Sequence, residues 1–235
     1  MLRLDKYISN ATDLSRSEVK RYIKYGDITI DDEPATNPAQ KVSGSETICI
    51  DGSAIQAPTH RYFMLNKPAG VVSATKDNAN TTALDLIYEH RSAELQIAGR
   101  LDIDTTGLLL ITDDGQWNHR LTSPRSDCQK IYLVTLGVPI SPDYQDKLAN
   151  GVWLEGEKHP CLPATMEVID DRTVLLSIAE GKYHQVKRMF AALGNHVEAL
   201  HRTQVGDIVL DETLEPGDYR ALTEAEVASI LTGKS

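Results

Sequence analysis

The sequence predicts an α+β protein: a small N-terminal α/β module, residues 1–59, followed by a larger domain, residues 60–235, built on a mostly antiparallel mixed sheet. Two observations lead to this class. Near the N-terminus, two helical patterns precede short strand patterns, and a polar, proline-containing segment follows them. Beyond it, short apolar runs bounded by turn residues recur without the regular strand–helix alternation of a parallel α/β sheet.

The small module is predicted from local helix and turn signals. Leu4, Tyr7 and Ile8 share one helical face, and a second helix begins after Ser15, where Glu18 completes a capping box. Gly26 is a typical residue for the end of that helix. The remaining predicted segments are strands at Ile28–Ile30 and Thr47–Ile50 and a linker at Ser53–His60.

The larger domain is predicted to contain several short strands and at least two helices. A hairpin is expected where two apolar runs flank Asp170-Asp171, and a helix is expected from His184 to Leu193, ended by Gly194. A last helix begins near Thr223. The predicted strands are Tyr62–Leu65, Leu108–Thr112, Ile131–Leu136, Ala164–Ile169 and Thr173–Ile178.

The formal net charge of −10 would at first argue against a nucleic-acid partner. The distribution of charge matters more than the sum, because phosphate contacts need only local positive charge. Residues 1–24 carry six Lys or Arg against three acids, and residues 182–202 carry four against Glu198 alone. Two basic segments therefore remain available for RNA.

Several protein classes are disfavoured by what the sequence lacks. No apolar run is long enough for a membrane span, and the N-terminus does not look like a signal peptide, so we expect a cytoplasmic protein without a membrane partner. Cys49, Cys128 and Cys161 are widely spaced and are expected to be reduced thiols. No Gly-rich phosphate loop, GxSxG, HExxH or paired CxxC motif is present, and the histidines lack metal-ligand spacing; we expect neither metal nor cofactor.

The most informative segment for chemistry is residues 99–110, Gly-Arg-Leu-Asp-Ile-Asp-Thr-Thr-Gly-Leu-Leu-Leu. A polar loop with Arg100, Asp102 and Asp104 runs into an apolar stretch that must be buried. The carboxylates therefore lie at the edge of the core, where partial desolvation can prepare a catalytic acid. From the pattern alone, such an Asp is more often a helix cap or a turn residue.

This segment resembles the active-site motif of the pseudouridine synthases, specifically their ribosomal RNA branch. Further motifs agree in order along nearly the whole chain: Lys67-Pro68-Ala69-Gly70, Lys130-Ile131-Tyr132, Glu180-Gly181-Lys182-Tyr183-His184-Gln185-Val186-Lys187-Arg188, Gly194-Asn195-His196-Val197 and Leu200-His201-Arg202. The N-terminal module also resembles a small RNA-binding module shared by a ribosomal protein and several RNA-modifying enzymes. Its matching residues are Arg3–Lys6, Ser15-Arg16 and Gly26–Ile30.

The resemblance implies roles for individual residues. Asp102 matches the essential aspartate, Tyr132 the aromatic that stacks on the target base, and Lys187 the basic partner of the aspartate. Many relatives carry Arg in place of Lys187, and a Lys cannot form a two-pronged contact, so Arg188 is a substitute candidate for that pairing and Asp104 an alternative carboxylate. The residues expected to contact RNA are Arg100, Arg3, Lys6, Arg16, Lys20, Arg21, Lys67, Lys182, Arg188 and Arg202.

The expected function is the site-specific isomerisation of a uridine to pseudouridine in small-subunit (16S) ribosomal RNA, with base flipping and no cofactor. The partner is that RNA, free or in a partly assembled small subunit, and the protein is expected to be a monomer. Three alternatives remain open: the same reaction on large-subunit RNA, a ribosome-assembly factor whose catalysis is dispensable, and a hydrolase that uses Asp102 with Asp104.

Overall fold

The structure is a computed structural model that describes residues 1–123 and 128–232. Its contacts divide the chain into two compact units, Met1–His60 and Arg61–Ser235, so the division falls one residue after the predicted end of the small module. Within the described ranges, no helix is both long and apolar enough to cross a membrane.

The first unit packs two helices against short strands. The elements are β1 (Leu2–Arg3), α1 (Leu4–Ala11), α2 (Arg16–Tyr25), β2 (Ile28–Ile30), β3 (Glu33–Pro34), β4 (Lys41–Val42), β5 (Ile48–Ile50) and β6 (Ser53–Ala54). The sheet of this unit has the order β3-β2-β5-β6, and β1 pairs separately with β4. The centre of the core is formed by Leu4, Ile8, Val19, Ile28 and Ile48.

The helix signals of this unit are confirmed, but four two-residue strands, β1, β3, β4 and β6, were not predicted. The Ser15 hydroxyl accepts from the Glu18 amide while the Glu18 carboxylate accepts from the Ser15 amide, and Gly26 ends α2 at φ +83°. The predicted linker begins too early, because Ser53–Ala54 pairs with β5. Asp51 and Gly52, both at positive φ, form the two-residue turn of this hairpin. An Asp-Gly pair is a strong hairpin signal that the linker prediction overlooked.

The second unit is built on a nine-stranded sheet. The elements are β7 (Tyr62–Lys67), β8 (Gln96–Ala98), β9 (Thr106–Thr112), α3 (Gly115–Thr122), β10 (Lys130–Leu136), α4 (Tyr144–Ala149), β11 (Thr165–Val168), β12 (Thr173–Ile178), α5 (Gln185–Ala192), β13 (Val197–Val205), β14 (Ile208–Val209), β15 (Tyr219–Ala221) and α6 (Glu224–Thr232), with short 3-10 turns at Ala83–Leu86 and Ser92–Glu94. The main path of the sheet runs β11-β12-β10-β13-β9-β7-β15. The α+β class and the mostly antiparallel mixed sheet are confirmed, since only the β13–β9 pairing is parallel among the described strand pairs.

Strand β9 explains why residues 108–111 form an unbroken apolar run. Leu109 and Ile111 join a core cluster with residues of α4 and α5, while Leu108 and Leu110 join a second cluster with residues of α3 and α6. Successive strand residues point to opposite faces, so a strand covered on both sides must be apolar at every position.

The register of three neighbouring strands fixes the position of the loop before β9. Gly107 pairs with Arg202 of β13, and Arg202 pairs in turn with Tyr132 of β10. A Cβ on Gly107, whose φ is +98°, would lie 2.3 Å from the Arg202 carbonyl oxygen. Glycine at this position therefore allows β9 and β13 to approach closely just after the loop that carries Asp102.

Candidate active site

The loop that carries Asp102 connects β8 to β9 and is fixed through its backbone. The Thr105 amide donates to the Asp102 carbonyl at 3.1 Å, and the Gly70 amide donates to the Ile103 carbonyl at 2.8 Å. At the start of the loop, the Leu101 amide donates to the Ser73 hydroxyl at 3.0 Å. These contacts hold the loop on both sides of the carboxylate without using the carboxylate itself.

Lys67, at the end of β7, is the buried anchor of the same loop. Its side chain is fully buried, and Nζ donates to the carbonyls of Thr105 and Pro68, each at 2.9 Å. Burial lowers the pKa of Lys67 to about 8, although the negative charges of Asp104 and Asp102 oppose that shift. The expectation that Lys67 binds RNA is therefore corrected, because the ammonium faces backbone carbonyls inside the protein.

The Asp102 carboxylate is partly open to solvent, with 29% of the side chain exposed, and both of its oxygens face donors. His184 Nε2 lies 3.4 Å from Oδ1, and Lys187 Nζ lies 3.5 Å from Oδ2. Both partners come from the start of α5: His184 directly precedes the helix and Lys187 lies in its first turn, 82 and 85 positions after Asp102 in the chain. The fold thus brings the predicted carboxylate and its predicted lysine partner together.

Lys187 is shared between two carboxylates. Its Nζ donates to Asp104 Oδ1 at 2.6 Å, a shorter contact than the one with Asp102. This hydrogen bond from Lys187 holds the pKa of Asp104 below its ordinary value. Because Asp104 is 66% exposed, it is more accessible to solvent than Asp102.

His184 is a site residue that the sequence interpretation missed. Its backbone has φ +47° and ψ +38°, a left-handed conformation that is uncommon outside glycine. Its ring stacks on the Tyr183 ring with centroids 3.8 Å apart and planes 19° from parallel. His184 stands in a quoted motif, but nothing in the residue pattern reports a positive φ or a contact with Asp102.

The candidate substitute for Lys187 does not reach the site carboxylate. Arg188 donates to Glu157 at 3.0 Å and to the backbone carbonyls of Tyr183 and Glu155. Lys182 also contacts Glu157, at 3.3 Å. The suggestion that Arg188 pairs with Asp102 is therefore wrong, and two of the cations expected to bind RNA are partly neutralised by one carboxylate.

Tyr132 and Arg202 are direct neighbours on the adjacent strands β10 and β13. Tyr132 is 8% exposed, and the Arg202 guanidinium carbon lies 6.0 Å from the centre of its ring. Arg202 is buried and donates to the carbonyls of Leu108 and Gly99, each at 2.8 Å. Arg202 therefore joins β9 to the loop before Asp102, and the expectation that it binds RNA is corrected. Arg100, in contrast, is exposed.

In the N-terminal unit, two of the predicted RNA contacts share one buried acid. Arg3 and Arg16 each reach Asp5 Oδ2 at 2.9 Å, and about half of each arginine side chain stays exposed. The hydrogen bond from Arg3, supported by Arg16, lowers the pKa of Asp5 to about 2. The exposed residues Lys6, Lys20 and Arg21 complete this set.

Chemically, the site offers an oriented carboxylate at the edge of the core, flanked by an ammonium and an imidazole. Such a carboxylate can act as a nucleophile or stabilise positive charge that develops on a sugar. Among the described residues, no group of three or more His, Cys, Asp or Glu is arranged to hold a metal ion. The described cysteines are free thiols.

Comparisons with known proteins show the family to which the chain belongs. Residues 61–192 match the family model described as RNA pseudouridylate synthase, and residues 2–48 match the S4 domain. A solved structure titled "Crystal structure of pseudouridylate synthase" covers 98% of the chain, and the chain covers all of it, with 45% identity and a TM-score of 0.71. The protein belongs to the pseudouridine synthase family of RNA-modifying isomerases and carries an N-terminal S4 domain.

Full-length relatives are similar over almost the whole chain. Ribosomal small subunit pseudouridine synthase A of Vibrio cholerae is 52% identical over 231 residues, which is 97% of this chain and 99% of that protein. The protein of the same name from Escherichia coli is 50% identical over 231 residues, 98% of this chain and 100% of the relative.

Proposed function

We propose that this protein converts a specific uridine of small-subunit ribosomal RNA to pseudouridine, with Asp102 as the catalytic carboxylate. The observation that carries the assignment to Asp102 is the pair of donors, His184 at 3.4 Å and Lys187 at 3.5 Å, that face its two oxygens. The small-subunit substrate is supported by the names of relatives that are about half identical over their full length.

The reaction needs no redox partner. The bond from the base nitrogen to the sugar C1′ breaks, the uracil turns, a bond from C5 to C1′ forms, and the proton lost from C5 is balanced by one gained at the freed nitrogen. Asp102 would serve this sequence as a nucleophile or by stabilising positive charge on the sugar. Lys187 would keep the carboxylate in place through both steps.

The target uridine must leave the base stack, because its reacting atoms are inaccessible inside a helix. Flipping costs about a few kcal/mol, and stacking on an aromatic side chain offsets about 1–3 kcal/mol per base. Tyr132 is the proposed stacking residue. Since only 8% of this residue is exposed, its ring would offer a narrow, rigid surface.

RNA recognition is proposed to use the S4 domain and the rim of the site. Lys20 and Arg21 lie exposed on α2, Lys6 lies exposed on α1, and Arg100 lies exposed two residues before Asp102. Cations that neutralise phosphates give binding that weakens steeply with salt. We propose a monomer that acts on the RNA either free or in a partly assembled subunit.

The proposal is tested by tritium release from small-subunit rRNA labelled at uridine C5. Wild type and Asp104→Asn should release tritium, whereas Asp102→Asn should not. Asp104→Asn is the matched control, because it removes a carboxylate that also contacts Lys187. Equal release by Asp102→Asn and wild type would overturn the assignment to Asp102. Loss of release in Asp104→Asn, with release retained in Asp102→Asn, would assign the catalytic carboxylate to Asp104 instead.

The substrate is tested with three RNA preparations: free small-subunit rRNA, partly assembled small subunits, and large-subunit rRNA. Release from either small-subunit preparation supports the proposal, and release from large-subunit rRNA alone would reassign the substrate. If wild type releases tritium from none of them, and a deletion strain is rescued equally by wild type and Asp102→Asn, the protein acts in assembly without catalysis.

A further inference from the structure

Tyr183 is an exposed aromatic residue beside the catalytic loop with no packing role of its own. Its side chain is 76% exposed, and it contributes to none of the hydrophobic clusters formed by the described residues. Aromatic pairs in the interior, such as Phe63 with Tyr219, meet edge to face, whereas Tyr183 lies nearly parallel to His184 at 3.8 Å. One face of the tyrosine ring is thus covered by the imidazole, and the side chain as a whole remains open.

The stack is fixed relative to Asp102 by contacts on both of its residues. His184 Nε2 faces Asp102 Oδ1, and the Tyr183 carbonyl accepts a hydrogen bond from Arg188 at 3.0 Å. Arg188 is itself held by Glu157. The left-handed backbone of His184 is strained, and such strain persists where the surroundings hold the residue in place. The tyrosine ring is therefore presented at a defined distance from the carboxylate.

Flipping a uridine removes the stacking partner of its neighbours in the RNA. Proteins that bind single-stranded RNA commonly offer exposed aromatic rings to such unstacked bases, and this contact tolerates any base because every base has a flat face. A base on the open face of Tyr183 would lie two ring spacings from His184, on the outer side of the stack.

We propose that Tyr183, supported by His184, is the stacking platform for the base of a nucleotide next to the flipped uridine. This inference rests on the proposed function, since it assumes an RNA substrate whose uridine is flipped toward Asp102. It assigns Tyr183 to substrate binding and His184 to positioning the platform. Neither residue is asked to transfer a proton or form a bond.

The first test compares Tyr183→Ala, Tyr183→Leu, Tyr183→Phe and Tyr183→Trp in the tritium-release assay. Loss of the ring should raise KM for the RNA by about 5- to 150-fold, the equivalent of one base–aromatic stack, with a smaller effect on kcat. Phe and Trp keep a flat ring and should keep KM near wild type. Tyr88→Ala is the control, because Tyr88 is an exposed tyrosine of the same unit, outside the site.

The second test removes the partner base. On RNA that carries an abasic nucleotide beside the target uridine, the KM of wild type should rise to that of Tyr183→Ala. The KM of the variant should be the same on this RNA as on the intact RNA. The fluorescence of a 2-aminopurine at that position should be quenched by stacking on Tyr183 when the RNA binds the Asp102→Asn variant. It should not be quenched when the RNA binds the Asp102→Asn, Tyr183→Ala double variant. The Asp102→Asn background prevents turnover during the measurement.

Three results would overturn the inference. The first is a wild-type KM for both Tyr183→Ala and Tyr183→Leu. The second is a KM difference between Tyr183→Ala and wild type that stays the same on abasic RNA. The third is quenching of the 2-aminopurine that does not change when the tyrosine ring is removed. Each can occur while wild type releases tritium normally, which separates failure of the platform from failure of the proposed function. A wild-type far-UV circular dichroism spectrum and a wild-type thermal midpoint in every variant show that the fold is intact.

Discussion

Lys187 Nζ donates to Asp104 Oδ1 at 2.6 Å while it lies 3.5 Å from Asp102 Oδ2. In this conformation the exposed carboxylate holds the lysine more tightly than the partly buried one does. A small movement of the flexible lysine side chain would strengthen the contact with Asp102. The two carboxylates therefore compete for one cation.

Replacement of Lys187 should show what the ammonium contributes at Asp102. We expect Lys187→Met to lower kcat by about 10- to 100-fold, because a charge-assisted hydrogen bond contributes about 1.5–3 kcal/mol. Lys187→Arg keeps the charge and should retain most of the activity. Single-turnover tritium release measures both, and a fully active Lys187→Met would contradict a role in holding Asp102.

Gly107 should tolerate no side chain, because a Cβ would meet the Arg202 carbonyl oxygen at 2.3 Å. We expect Gly107→Ala to lower the free energy of unfolding by about 2–5 kcal/mol, from backbone strain and overpacking together. Gly217 has nearly the same φ, +101°, but open space around it, so Gly217→Ala should cost only the strain. Urea titrations followed by Trp117 fluorescence measure both variants, and equal losses would contradict the packing argument.

Lys67 should make the free energy of unfolding of the second unit vary with pH in the alkaline range. Burial lowers the pKa of Lys67 to about 8, against an ordinary value of 10.5. Between these values the folded protein has released a proton that the unfolded chain still binds, so rising pH favours the folded state. The free energy of unfolding of wild type relative to Lys67→Met should therefore increase from about pH 8 to pH 10.5. A difference that falls with pH would show that folding raises the pKa of Lys67, which would mean that the backbone carbonyls stabilise the ammonium more than burial destabilises it.

Asp5 should give a pH dependence of the same sign in the first unit, but in the acidic range. Its pKa is lowered from 3.8 to about 2, first by the hydrogen bond from Arg3 and then by Arg16. The stabilisation is complete above the ordinary pKa and is lost as the pH falls toward 2. Asp5→Asn should therefore unfold more easily than wild type at pH 6, and the difference should shrink below pH 4.

The methyl NMR signals of Ile8 and Ile23 report this unfolding directly, since both residues lie in the core of that unit. The tryptophans serve as the internal control, because Trp117 and Trp153 both belong to the other unit. A difference between wild type and Asp5→Asn that stays constant from pH 6 to pH 2 would show that the paired carboxylate is not its source.

Sequence patterns predicted the structure correctly where the contacts join residues that are close together in the chain. The Ser15–Glu18 capping box and the Gly26 helix end involve residues a few positions apart, and both are confirmed. The apolar run before Thr112 was correctly predicted as a buried strand, because only a strand covered on both faces is apolar throughout. The same holds for the hairpin around Asp170-Asp171.

The predictions that failed concern cations whose partners are distant in sequence. Arg202 donates to the Gly99 carbonyl across 103 positions, and Lys67 donates to the Thr105 carbonyl across 38. A lysine or arginine has the same residue pattern whether it faces phosphate or a ring of backbone carbonyls, so only the tertiary fold separates the two. The contact of His184 with Asp102 depends in the same way on a backbone conformation that no residue pattern encodes.

The parallel pairing of β9 with β13 also determines when the active site can form during synthesis. His201 pairs with Thr106 across 95 positions, and loop closure over such a distance is slow compared with local folding. The ribosome releases the chain from its N-terminus, so the first unit can fold long before β13 emerges. Asp102, in contrast, meets His184 and Lys187 only after α5 has been made, so a nascent chain that ends before α5 has the S4 domain but lacks the proposed catalytic site.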